Sequence, residues 1–177
     1  MLVNAEFAAW IVNGISPKAG PPDSGSEAER FAAHEREVMS GTNGFRAAGG
    51  KLNAPWPRSL GTPPWGAAKE LEDGAARPGA AYGMRLVRLS STEALRRAHQ
   101  DLVTLVGIGL PALLYIGSTR LPRHVTLVLP GEAGAQLDVY DPATGSVTEL
   151  APDRFAAGAL GIAGWNVPWI TVQPRRS

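Results

Sequence analysis

Cysteine is absent from this sequence of 177 residues. Within these residues, disulfide bonds, thiolate metal sites and a cysteine nucleophile are therefore excluded. The histidines number only 3 and are scattered without a cluster of carboxylates, so we expect no metal site. We also expect no cofactor, because the sequence lacks the glycine-rich patterns G-x-x-x-x-G-K-[ST] and G-x-G-x-x-G that bind phosphates.

Excess charge of either sign is also lacking. Lys and Arg total 17 against 16 for Asp and Glu, which leaves a formal net charge of +1. This charge produces no field that would attract nucleic acid, and the basic residues are not interleaved with aromatic ones. We therefore expect no nucleic-acid partner.

Long hydrophobic runs are missing as well. A membrane span needs roughly 18 to 20 apolar residues, and the nearest candidate, LVTLVGIGLPALLYIG, is interrupted by Gly107, Gly109 and Pro111. The N-terminal stretch carries Glu6 and lacks the basic segment of a secretory signal. We expect a cytoplasmic protein without a membrane span, and the sequence indicates no particular oligomeric state.

The hydrophobic content of 44% is sufficient for one core, so we expect a single domain over residues 1–177. Residues 1–75 contain stretches rich in Gly and Pro, which are typical of loops, and apolar residues at the 3.6-residue spacing of helices. Residues 80–177 indicate a strand, a helix capped by Ser91 or Thr92, and several further strands separated by turns. This order predicts the α+β class, with a helical N-terminal half packed on a mostly antiparallel sheet.

Local signals refine this organisation. Gly14 is expected to end a first helix that begins near Asn4, and Ser26 with Glu29 resembles a capping box that begins a second. His99 lies in the predicted helix after Ser91, where we expect an ordinary surface or boundary residue.

The stretch LPRHVTLVLPGEAGAQLDVYDP contains a candidate catalytic pair. His124 begins one predicted strand and Asp141 ends the next, so a hairpin would bring the two side chains together. Imidazole can act as a general base near neutral pH, and a carboxylate can orient it. The alternative is that Asp141 begins an ordinary D-P-x-x-G turn and that His124 merely follows Arg123 at a strand entrance.

Four short motifs occur in an order that resembles the papain-like cysteine peptidases, nearest to the bacterial group that includes the bacteriocin-leader-processing peptidases. The resemblance extends from Leu60 to Trp169. Its motifs are GTPPWGAAKEL at 61–71, GLPALLYI at 109–116, HVTLV at 124–128 and VYDPATG at 139–145.

The resemblance implies a papain-like fold, with His124 as the general base and Asp141 as its orienting residue. The nucleophilic cysteine and the glutamine of the oxyanion hole do not carry over, and would lie before Met1. The resemblance therefore implies a peptidase or amide hydrolase scaffold that is truncated or inactive as given, so enzymatic activity is left open.

The expected partner is a peptide or a protein. A cleft beside the pair would be lined by aromatic residues such as Tyr140, Trp165 and Trp65. The alternative to a hydrolase is a non-catalytic peptide-binding or protein-interaction module of the same fold.

Overall fold

A computed structural model describes residues 61–72, 79–131 and 136–175, together with residues 9–10, 13–15, 25–27, 29–30 and 33. The helices and strands, in chain order, are α1 (Pro64–Glu70), β1 (Tyr82–Leu86), α2 (Thr92–Gly107), β2 (Ala112–Gly117), β3 (Pro122–Pro130), β4 (Leu137–Asp141), β5 (Ser146–Glu149), α3 (Pro152–Ala157) and β6 (Val167–Pro174).

The strands form one six-stranded antiparallel sheet in the order β1-β6-β2-β3-β4-β5. Strands β2 to β5 follow one another as a meander, in which each strand pairs with the next along the chain. The last strand, β6, returns to lie between β1 and β2. The predicted α+β class and antiparallel sheet are confirmed.

Helix α2 forms where its sequence predicts it. The Ser91 side chain accepts a hydrogen bond from the Ala94 N–H at 3.3 Å and so caps the first turn. One face of the helix is buried, and its residues recur at helical spacing: Leu95, Ala98, His99, Leu102, Leu105 and Val106. The predicted cap at Ser91 is confirmed.

The sheet buries apolar side chains on both faces. On the first face, helices α2 and α3 cover the main core, which includes Leu102, Leu114, Val128, Val139 and Phe155. On the second face, a smaller cluster contains Leu71, Tyr82, Tyr115 and Val172 and lies beside α1. Because neighbouring residues in a strand point to opposite faces, the two clusters draw on alternate positions of β2.

Helix α3 was not predicted from the sequence. It spans only six residues, begins with Pro152 and ends at Gly158, whose φ of 62° is left-handed. A helix of less than two turns has no room for a periodic apolar pattern, which explains why periodicity missed it. The helix nevertheless buries the whole side chain of Phe155.

The prediction for His99 is wrong. This residue is only 6% exposed, and its Nε2 lies 2.7 Å from the carbonyl oxygen of Leu150. Its ring also contacts that of Phe155 edge to face, with 5.7 Å between centroids. The hydrogen bond allows a polar ring to occupy the interface between α2 and α3.

Two N-terminal predictions are confirmed. Gly14 has a left-handed φ of 71°, and its N–H donates to the carbonyl oxygen of Trp10 at 2.8 Å, as expected where a helix ends. Ser26 and Glu29 form the reciprocal hydrogen bonds of a capping box. Most of the remaining predictions for residues 1–60 lie outside the described residues.

Replacement of Phe155 by alanine tests the packing of α3. We expect Phe155→Ala to lower the free energy of unfolding by about 3–5 kcal/mol, because it leaves a cavity in the main core. Urea unfolding monitored by circular dichroism measures this change. The control is Val147→Ala on β5, where the side chain is 58% exposed, and for which we expect a change within about 0.5 kcal/mol. Equal effects of the two substitutions would contradict the assigned packing.

Candidate functional site

His124 and Asp141 are brought together as the hairpin predicts. The Nε2 atom of His124 lies 2.6 Å from Oδ1 of Asp141. Strands β3 and β4 pair with Leu127 opposite Tyr140, which puts Asp141 level with Thr126, two residues from His124. The two side chains are therefore diagonal neighbours on the same face of the sheet.

The carboxylate of Asp141 is buried and fully engaged. The side chain is 3% exposed, against 17% for His124. Besides the histidine contact, Oδ1 accepts a hydrogen bond from the Ala143 N–H at 2.9 Å, and Oδ2 accepts one from the Thr144 hydroxyl at 2.8 Å. The Thr144 hydroxyl lies 2.7 Å from that of Ser146. These contacts hold the carboxylate in one orientation.

The hydrogen bonds decide the charge of this carboxyl group. Burial by itself raises the pKa of Asp141, but the donors at Ala143, Thr144 and His124 outweigh it and hold the pKa below its ordinary value of 3.8. Asp141 is therefore ionised at neutral pH. A buried carboxylate with these partners can orient an imidazole and stabilise its protonated form.

The D-P-x-x-G segment is both a turn and part of the site. Gly145 has a left-handed φ of 69°, and its N–H donates to the carbonyl oxygen of Asp141 at 2.8 Å. The same turn supplies the Ala143 and Thr144 donors that hold the carboxylate. From the sequence alone, the turn and the pair are alternatives, and Thr144 is not predicted as part of the site. The signal was a hydroxyl residue three positions after an aspartate in a turn.

Gly117 controls how the chain enters β3. Ile116 pairs with His124, and the register shifts at Gly117, which pairs with Pro122. A Cβ atom at Gly117 would overlap the carbonyl oxygen of Leu121. Only glycine therefore permits the backbone at this position to lie so close to Leu121. The close approach joins the end of β2 to the beginning of β3, the strand that carries His124.

The second ring nitrogen of His124 is the atom available for chemistry. A carboxylate can only accept a hydrogen bond, so the proton of the neutral ring lies on Nε2 and the lone pair on Nδ1. Among the described residues, none forms a hydrogen bond with Nδ1. The arrangement can therefore take a proton at Nδ1 while Asp141 stabilises the resulting imidazolium.

The aromatic residues predicted to line a cleft are distributed over both faces. Trp165 is half-buried and packs against the main core, on the face that carries Asp141. Tyr140 precedes Asp141 on β4 and points to the second face. Trp65 belongs to α1, which packs against β1 and β6 on that second face. Of these three residues, Trp165 alone lies on the face of the sheet that carries the pair.

The described part of the chain contains no group of three or more His, Asp or Glu side chains that could hold a metal ion. In the same ranges, no helix combines the length and the apolar character that a membrane span requires.

Comparison with known proteins adds no relative. No family model, curated protein or solved structure matches this chain.

Replacement of Asp141 by asparagine tests the buried carboxylate. We expect Asp141→Asn to lower the free energy of unfolding at pH 7 by about 1–3 kcal/mol, because the amide cannot reproduce all three hydrogen bonds of the carboxylate. A lowered pKa in the folded state stabilises the protein fully above the ordinary value of 3.8, and this stabilisation is lost as the pH falls through the folded pKa. The advantage of the wild type over the variant should therefore shrink below about pH 4.

Urea unfolding between pH 2.5 and 7, in roughly half-unit steps, measures this difference. The matched control is Asp138→Asn, which removes a carboxylate from the same strand but outside the Asp141 hydrogen bonds. A difference between wild type and Asp141→Asn that stays constant over the whole pH range would refute the assigned role of the charge.

Proposed function

We propose that this chain is the scaffold of a papain-like cysteine peptidase or related amide hydrolase, with His124 as general base and Asp141 as its orienting residue. The observation that carries the proposal is the 2.6 Å contact between His124 Nε2 and the buried, ionised Asp141. This contact presents Nδ1 as the proton acceptor. An imidazole oriented in this way is the activating group of thiol and hydroxyl nucleophiles.

The positions of the four sequence motifs support the proposal. GTPPWGAAKEL coincides with α1, and GLPALLYI runs into β2. HVTLV lies in β3, and VYDPATG covers the end of β4 and the turn after it. Each motif thus coincides with a structural element or its boundary, and the last two contain His124 and Asp141. The papain-like fold is part of the proposal, whereas the α+β antiparallel architecture is observed.

The chemistry needs a thiol that these residues lack. In the proposed reaction, Nδ1 of His124 takes the proton of a cysteine thiol, and the thiolate attacks the carbonyl carbon of a peptide or side-chain amide. The imidazolium then returns the proton to the departing amine, and water releases the acyl group from the sulfur. Because the sequence contains no cysteine, other residues than these 177 must supply the thiol.

The same observation favours a second candidate. If no other residues supply a thiol, the scaffold still has the His124–Asp141 pair and the surrounding surface, but it cannot form an acyl intermediate. Such a chain would be a non-catalytic module that binds a peptide or protein. The two candidates share the fold and the kind of partner, and they differ only in the nucleophile.

Thiol labelling of the protein isolated from its own source cell separates the two candidates. For the hydrolase, we expect an intact mass above 18.6 kDa and one thiol that iodoacetamide alkylates. The thiol of an imidazole-paired cysteine has a lowered pKa, so at pH 6 it should react at least about tenfold faster than free cysteine. His124→Ala should remove this rate advantage.

Tyr140→Phe is the matched control, because Tyr140 neighbours Asp141 but points to the opposite face. We expect it to react at the wild-type rate. A mass of 18.6 kDa with no adduct would reject the hydrolase and leave the binding module. A reactive thiol that is indifferent to His124→Ala would reject the assignment of His124 as the base.

A further inference from the structure

Strand β1 is an edge of the sheet, and its hydrogen bonds to β6 show which of its backbone groups face β6 and which face outward. The Arg175 N–H donates to the carbonyl oxygen of Ala81 at 2.8 Å, and the Val87 N–H donates to that of Trp169 at 2.9 Å. Odd-numbered residues of this segment therefore direct their backbone groups toward β6. The backbone groups of the even-numbered residues point away from the sheet.

Both outward groups of Tyr82 are already bonded within the chain. Its N–H donates to Oε1 of Glu72 at 2.7 Å, and its carbonyl oxygen accepts a hydrogen bond from Nε of Arg175 at 2.9 Å. Beyond Tyr82, no described residue bonds the backbone N–H or C=O of Met84 and Leu86. The side chains of both residues are 57% exposed. The open edge, defined here as Met84 to Leu86, thus offers two donors and two acceptors beside two apolar side chains.

A groove of about 340 Å³ lies beside this edge, on the face covered by α2. Arg85 and Arg175 both line it, and Arg85 forms an ion pair with Asp101 at 3.0 Å. The Arg175 side chain lies over Gly83, where a Cβ atom would come within 3.2 Å of its Nε. Among the described residues, the charged groups that line the groove are two guanidinium groups and one carboxylate, which give a net positive charge.

We propose that the open edge binds an extended peptide of the pattern apolar–acidic–apolar, which adds to the sheet as an antiparallel strand. The two apolar residues would exchange backbone hydrogen bonds with Met84 and Leu86 and share their face. The acidic residue lies opposite Arg85 and points to the groove with its two guanidinium groups. This inference is independent of the His124–Asp141 pair and of any nucleophile.

A second copy of the chain fits the open edge less well. The symmetric pairing that uses all four outward groups would place the two copies of Arg85 directly opposite one another. Like charges at directly opposed positions destabilise a strand pair. The charge at the edge therefore favours an acidic peptide over self-association.

Short synthetic peptides test the proposal on the full chain. The probe is an acetylated and amidated peptide, threonine–valine–glutamate–valine–threonine, titrated into the ¹⁵N-labelled protein. We expect amide shifts centred on Met84 and Leu86. Methylation of both valine amides should weaken binding by about tenfold, because these N–H groups donate to β1. Methylation of the glutamate amide, which points away from β1, should leave binding unchanged.

Charge selection is tested by Arg85→Gln. Wild type should prefer the glutamate peptide to its lysine counterpart, and the variant should lose that preference. The control is Arg97→Gln, since Arg97 pairs with Glu93 on the exposed side of α2 and lies outside the groove. An unchanged ¹⁵N spectrum away from the edge shows that each variant is folded.

Three results would overturn the proposal. The first is the absence of shifts at the open edge with peptide at about 5 mM, a concentration at which even weak peptide ligands bind. The second is equal binding of the peptide methylated at its valines. The third is concentration-dependent association of the protein alone that shifts the amides of Met84 and Leu86, which would make a second copy the occupant.

Discussion

The pairing of β6 between β1 and β2 is the constraint on which the described structure depends. Strand β6 supplies the backbone pairing that joins β1 to the meander, which carries the histidine and the aspartate. The strand is well suited to this position, because Thr171 and Val172 are both fully buried and point to opposite faces. One strand thus contributes to the core under α2 and to the cluster beside α1. It also leaves β1 as an outer strand with one side open.

The site itself depends on a balance between burial and hydrogen bonding. A buried carboxylate is unfavourable unless polar groups replace its water. Here a single turn supplies two of those groups and His124 the third. The contacts that stabilise the charge are therefore the same ones that fix the imidazole. Structural and chemical roles cannot be separated at Asp141, although they can at His124, whose ring is more exposed.

Much of this arrangement could be predicted from the sequence, and the failures have physical reasons. Alternation and turn residues predicted the strands from β2 to β5, and a hairpin predicted that His124 meets Asp141. The place of β6 could not be predicted, because periodicity describes the faces of a strand and not its neighbours. The burial of His99 depends on the Leu150 carbonyl oxygen, which is distant in sequence. The position of Tyr140 on the second face was predictable, because Tyr140 directly precedes Asp141 in β4 and neighbouring residues of a strand point to opposite faces.

The short separation of the pair in sequence has a consequence for how the protein folds. His124 and Asp141 are 17 residues apart, whereas the hydrogen bond between Arg175 and Tyr82 spans 93. Loop-closure entropy makes the longer contact costlier by roughly 1.5 kcal/mol. We therefore expect the β3–β4 hairpin to form early and the pairing of β1 with β6 to form late. Transient opening at β6 would then leave the histidine–aspartate geometry intact.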